Sequence, residues 1–272
     1  MHRSDILAVS DSCLRLRSTN TCCVIGSKLP DCFRSRLIRI TRVITTALVA
    51  TLGCTSAFAQ CVVLLHGLAR TSASMESLAE LIADEGFEVV NVDYPSREQP
   101  IEALAPIAVH KGLGGCPPGT TVHFVTHSLG GILIRYYLEE HSLPRLGRVV
   151  MLAPPNQGSE VVDTLREMPG FRLLNGPAGN QLGTGAESLP RTLGPVDFEL
   201  GIIAGSSTFN PILSLYLPNP DDGKVSVAST RVEGMSDFIV LPYTHTFMMQ
   251  SPEVASQAIE FIRRGAFRRS YR

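Results

Sequence analysis

"HFVTHSLGGILIRYYL", His123 to Leu138, is the stretch whose reading decides the fold. An apolar run reaches Ser128, passes Gly130 and Gly131, and continues with apolar residues at helical spacing. The pattern predicts a strand over 121–126 and a helix over 129–142, with almost no loop between them. A serine at such a junction is forced into a strained backbone conformation, and its hydroxyl then projects above the sheet. Strand and helix pass close together there, so small residues are needed two positions either side of the serine. Gly130 meets that need on the far side. Thr126 stands on the near side, where the pattern G-x-S-x-G has glycine. Taken alone, the stretch reads equally as a tight turn without chemistry.

The flanking sequence repeats the alternation of strand and helix. "CVVLLHG" (61–67) is a continuous apolar run ending in glycine, the pattern of a buried parallel strand. A helix is expected over 72–86, a strand over 87–95 stopped by proline, and a weaker helix over 101–115 interrupted by Pro106. A strand over 148–155 follows the Ser128 helix. The regularity lapses over 156–196, which is rich in glycine and proline. Short helices over 157–167 and then loops are expected there, forming a cap- or lid-like insertion over the sheet edge. Strands at 198–205 and 237–242 and a closing helix at 251–265 complete the chain. The alternation argues for an α/β fold, a mostly parallel, doubly wound sheet with helices on both faces.

The chain has 272 residues, 44% of them hydrophobic and 18% charged, enough to bury a sizeable core. Its net charge of −1 gives no reason to expect nucleic acid as a partner. The balance conceals an asymmetry. Residues 1–59 hold 8 Lys/Arg and 3 Asp/Glu, whereas residues 60–272 hold 16 and 22. Arg34, Arg36, Arg39 and Arg42 form a basic start, Val43 to Leu52 is apolar, and Ala57-Phe58-Ala59 fits a small-x-small cleavage pattern. Residues 34–59 are therefore expected to be a signal peptide cleaved after Ala59, with 1–33 an unstructured upstream extension and 60–272 the mature domain. The protein is expected in the periplasm or secreted. Of seven cysteines, only Cys61 and Cys116 survive this cleavage, which suggests one disulfide. The C-terminal arginines (Arg263, Arg264, Arg268, Arg269, Arg272) read as a solvated end, with transient contact to an anionic membrane surface as the alternative. A monomer is expected.

A nucleophilic serine needs a base, an acid behind the base, and donors for the oxyanion. The first strand ends at His66-Gly67. If it neighbours the Ser128 strand, the backbone N–H groups of Leu68 and Leu129 face each other as oxyanion donors. His66 itself reads as structural. His123 and His127 sit on the serine strand and its turn, too constrained to reach the hydroxyl. His110 and His141 fall in or at the ends of helices. His245, in "LPYTHTFMMQSP", follows a late strand and is the candidate base. Asp222 in "NPDDGKVSV" is the chosen acid; Asp221 is the close alternative, and a turn with two solvated carboxylates is the plain reading. The order Ser128, Asp222, His245 is a workable triad order. Residues 60–272 contain no HExxH and no paired CxxC, and no glycine-rich loop has phosphate-binding spacing, so neither metal nor nucleotide cofactor is expected.

At this point "VVLLHGLART", "VDYPS", "VTHSLGGILIRYYL", "LAPPNQGSEV", "DDGKVSVAST" and "LPYTHTFMM", taken together, resemble the exported bacterial α/β-hydrolases of the lipase/esterase superfamily. The resemblance runs from Cys61 to about Gln257. It implies an α/β-hydrolase fold, with Ser128 as nucleophile, Asp222 as acid, His245 as base, and Leu68 and Leu129 N–H groups as oxyanion donors. Similar enzymes cleave carboxylic esters, often of fatty acids, so a small-molecule or lipid ester is the expected substrate. An acyltransferase or thioesterase on the same fold, or a non-catalytic lipid-binding member, are the alternatives. Thr126 in place of glycine is the departure from the bare motif.

Overall fold

The computed structural model describes residues 60–209 and 211–269. The expected extension (1–33) and signal peptide (34–59) lie outside the described residues. Six strands form one sheet: β1 (Gln60–Leu65), β2 (Glu88–Val92), β3 (Thr121–His127), β4 (Leu146–Leu152), β5 (Leu200–Gly205) and β6 (Asp237–Leu241). Their order is β2-β1-β3-β4-β5-β6, and every neighbouring pair is parallel. The expected parallel α/β sheet is therefore present. The order reverses between β1 and β3. In such sheets, ligands bind at the carboxyl edge beside that reversal.

Side chains alternate along each strand, so one strand feeds two cores. From β1, Val63 and Leu65 pack with Leu104, Ala105 and Ala108 of α2 (Ile101–Gly115) and with Ile132 and Leu133 of α3 (Leu129–Glu140). Val62 and Leu64 face the other way, toward Leu78 and Ile82 of α1 (Glu76–Asp84) and Ala258, Phe261 and Ile262 of α8 (Pro252–Arg264). Burial on both faces is why β1 reads as a continuous apolar run, Cys61 to Leu65, rather than as an alternating one. Cys61, at the start of β1, pairs with Cys116, which caps α2, across a Cα separation of 5.8 Å.

The differences from the sequence expectations have local causes. The expected helix at 72–86 opens as a 3₁₀ turn, Ser72–Met75, before α1 begins at Glu76. α2 runs through Pro106 rather than being interrupted there. Proline removes one i→i−4 bond, and the buried residues Ile101, Leu104, Ala105 and Ala108 hold the helix against that loss. β4 stops at Leu152, short of Pro154 and Pro155. Between β4 and β5 lie α4 (Glu160–Leu165), α5 (Phe171–Asn180) and α6 (Leu189–Thr192), where the sequence suggested short helices at 157–167 and then loops. A further short helix, α7 (Pro211–Ser214), precedes the aspartate pair.

Candidate active site

Ser128 occupies the junction of β3 and α3 with φ 52° and ψ −118°. Left-handed backbone at a non-glycine residue costs about 1–3 kcal/mol and persists only where the surroundings hold it. Here β3 and α3 fix both sides, and the Ser128 N–H donates to the Leu152 carbonyl at 2.9 Å. Gly130 follows because α3 starts against the end of β1. A Cβ at that position would stand 2.5 Å from the Leu65 carbonyl oxygen and 2.9 Å from that of His66. Thr126, on the near side, is fully buried and lies beside Leu65 of β1 and Met151 of β4.

The chain just past β1 closes on the serine. A Cβ at Gly67 would meet the Ser128 Cβ at 3.3 Å and the His127 Nδ1 at 2.8 Å, so the 67–68 backbone lies against the elbow. Leu68 lines the same cavity as Ser128. Leu129 is the first residue of α3, so its N–H has no intrahelical acceptor. These are the two residues whose N–H groups the sequence put forward as oxyanion donors.

His245 lies beyond β6 and is buried. Its Nδ1 donates to Asp222 Oδ2 at 2.8 Å, which leaves Nε2 as the basic nitrogen. The other oxygen of Asp222, Oδ1, accepts the backbone N–H groups of Lys224 at 3.0 Å and Val225 at 2.8 Å. The His245 N–H donates to the Asp222 carbonyl at 3.0 Å, a second tie between the two loops. Asp221 turns away. Its carboxylate accepts the Gly223 N–H at 2.7 Å and the Ser214 hydroxyl, closing the turn. Of the two adjacent aspartates, Asp222 is the one that meets the histidine.

His127 plays a part that the sequence did not reveal. Its Nε2–H donates to the His245 carbonyl at 2.9 Å, and the two rings lie 4.8 Å apart. Burial, reinforced by the nearby His245, holds the His127 imidazole well below its usual pKa, so it stays neutral. It braces the candidate base from behind. His66 is structural, as expected: its ring stacks on Tyr94 at 4.0 Å, and its carbonyl accepts the Tyr94 hydroxyl.

Ser128, His127 and His245 open onto a cavity of about 310 Å³. Much of its lining is apolar, including Val161, Val162, Leu165, Phe171, Leu182 and Leu213. Val161, Val162, Leu165 and Phe171 of segment 156–196 thus face this space. Met168, Leu173 and Leu174 are instead exposed on the surface. Arg70 and Lys224 also line the cavity, which the sequence did not suggest, although each adjoins a motif already read, "HGLAR" and "DDGK". Among the described residues, no group of three or more His, Cys, Asp or Glu side chains is arranged to hold a metal.

Comparison with known proteins places this geometry in context. No curated protein matches the chain significantly. Among solved structures, the mature Bacillus licheniformis lipase BlEst2 superposes with a TM-score of 0.59 at 17% identity, over 76% of this chain and 92% of that one. The Legionella pneumophila phospholipase PlaB gives 0.57 at 18% identity, over 76% of this chain and 59% of that one. The metagenomic carboxyl esterase MGS0156 gives 0.56 at 20% identity, over 70% and 65%. At these identities the likeness is one of fold. The profile of the alpha/beta hydrolase family matches residues 62–257, most of the chain, and the protein belongs to that family.

Proposed function

We propose that the protein is a serine hydrolase that cleaves carboxylic esters through an acyl-enzyme on Ser128. The observation that carries this reading is the buried His245–Asp222 pair, 2.8 Å apart, on a cavity it shares with a serine held at φ 52°. Ser128 Oγ attacks the ester carbonyl carbon while His245 Nε2 takes its proton. The carbonyl electron pair moves onto oxygen, where the N–H groups of Leu68 and Leu129 receive the charge. The C–O bond then breaks, and the leaving alkoxide takes the proton from His245. Water, deprotonated by the same nitrogen, attacks the acyl carbon and releases the acid, which restores Ser128. Asp222 holds the Nδ1–H tautomer and stabilises the imidazolium throughout. The apolar lining favours esters with an apolar arm, and segment 156–196, which supplies much of that lining, acts as the cap. A lipase, a phospholipase and a carboxyl esterase among the fold neighbours support the same substrate class.

We further propose that the protein is exported, with Gln60 as its mature N-terminus; the Cys61–Cys116 pair supports this, since disulfides persist in oxidising compartments. Peptide mapping of the exported protein checks it, and an intact leader would refute it. For the chemistry, hydrolysis of 4-nitrophenyl butyrate and octanoate by the mature protein is expected to drop by about 10⁴-fold or more in Ser128→Ala and His245→Ala. Activity retained in Ser128→Ala would overturn the mechanism.

A further inference from the structure

The cavity carries charge of one sign only. Arg70 and Lys224 line it beside Ser128 and His245, and none of the lining residues is Asp or Glu. This contrasts with the domain around it, since residues 60–272 hold 22 acidic against 16 basic side chains. Among the described residues, neither Arg70 nor Lys224 is within an ion pair. The nearest acid in the site, Asp222, has both oxygens engaged, one by His245 and the other by two backbone N–H groups. Two cations lining one cavity repel each other.

An anion held by these two groups would relieve that repulsion. The same cavity also offers Val161, Val162, Leu165 and Phe171 to a hydrocarbon arm. We infer that the preferred substrate is an ester with two unlike arms, one apolar and one bearing a carboxylate or phosphate that Arg70 and Lys224 bind. This rests on the reading of Ser128 as an esterase nucleophile and names the class of ester that its cavity selects.

The test compares matched substrates. The carboxylate arm sets 4-nitro-3-(octanoyloxy)benzoate against neutral 2-nitrophenyl octanoate. The phosphate arm sets 1-octanoyl-glycerol 3-phosphate against 1-octanoyl-glycerol. In wild type, at least one charged ester is expected to exceed its neutral partner in kcat/KM by about tenfold, a margin that shrinks in 0.5 M salt. In Arg70→Ala and Lys224→Ala, that charged-over-neutral ratio is expected to fall by about tenfold; which arm responds identifies the anion. A wild-type ratio at or below one on both arms, or a ratio unchanged in both variants, overturns the inference. A binding measurement separates this failure from that of the hydrolase reading. Octyl phosphate and octanoate are titrated into the Ser128→Ala protein by calorimetry, where no turnover is needed. Saturable binding that weakens about tenfold on adding Arg70→Ala or Lys224→Ala supports the anion site even if no ester is cleaved. Failure of both anions to bind refutes it even if esters are hydrolysed.

Discussion

Asp221 and Asp222 are chemically identical neighbours, and their different duties come entirely from the turn that carries them. A turn alternates the direction of successive side chains. One carboxylate therefore closes the loop on Gly223 and Ser214, while the other reaches His245. The sequence favoured Asp222 and kept Asp221 as the alternative; that the Asp222 carboxylate meets His245 is visible only in the fold. The proposed roles make a sharp contrast. Asp222→Asn is expected to reduce kcat by about 10⁴-fold, because the amide cannot hold the Nδ1–H tautomer. Asp221→Asn is expected to keep most of kcat while lowering the urea midpoint. Steady-state kinetics on both variants checks this, and equal losses in kcat would refute the assignment. Ser128 itself was half legible. The glycines at 130 and 131 announced a close strand–helix passage, but a turn without chemistry has the same letters. His127 was read only as too constrained to serve as the base. Its buried bond to the His245 carbonyl depends on a contact 118 positions away, which no local pattern carries.

Among the elements, the strands were legible and the insertion was not. Strands buried on both faces write themselves as apolar runs, and β1 and β5 begin and end close to where the runs do. α5 hides because Gly176, at φ 66°, and Pro177 break its periodicity. The glycine is required by packing, since a Cβ there would stand 1.8 Å from the Arg97 carbonyl oxygen. Gln181, just past α5, is tied to α2 by accepting the Ile101 N–H at 2.8 Å and donating to Glu102. Arg135 is the other anchor. Buried in α3, it donates to the Asn156 carbonyl and side-chain oxygens and to the Leu193 and Gly194 carbonyls. Burial pushes its guanidinium down to about 10, still charged at neutral pH. Arg135→Met keeps the bulk but removes the donors that hold these buried carbonyls. It is expected to destabilise by about 2–4 kcal/mol, since each abandoned buried acceptor costs about 1–3 kcal/mol. Urea denaturation measures this; a loss below about 0.5 kcal/mol would show that the guanidinium does not hold the insertion.

For the molecule as a whole, the alternation of strands and helices was enough to give the sheet, because parallel strands must be linked by crossovers and the crossovers are helices. What the alternation did not contain was the shape of the cavity, which is assembled from separate stretches between Leu68 and His245. The Cys61–Cys116 pair spans 55 residues and ties β1 to the end of α2. Closing a loop of that length stabilises by about 4 kcal/mol in the chain-entropy account. The Cys61→Ser, Cys116→Ser double variant is expected to melt roughly 10 °C below the oxidised protein, and the same melting temperature in both would argue against a bond in the native state. The central claim concerns Ser128, and its most direct test is covalent. The mature protein is treated with a fluorophosphonate probe and digested, and the modified peptide is sequenced by mass spectrometry. The account predicts a single adduct on Ser128 within the peptide containing "THSLGG", with labelling abolished in Ser128→Ala and strongly slowed in His245→Ala. Labelling that persists in Ser128→Ala, or an adduct on another residue, would contradict it.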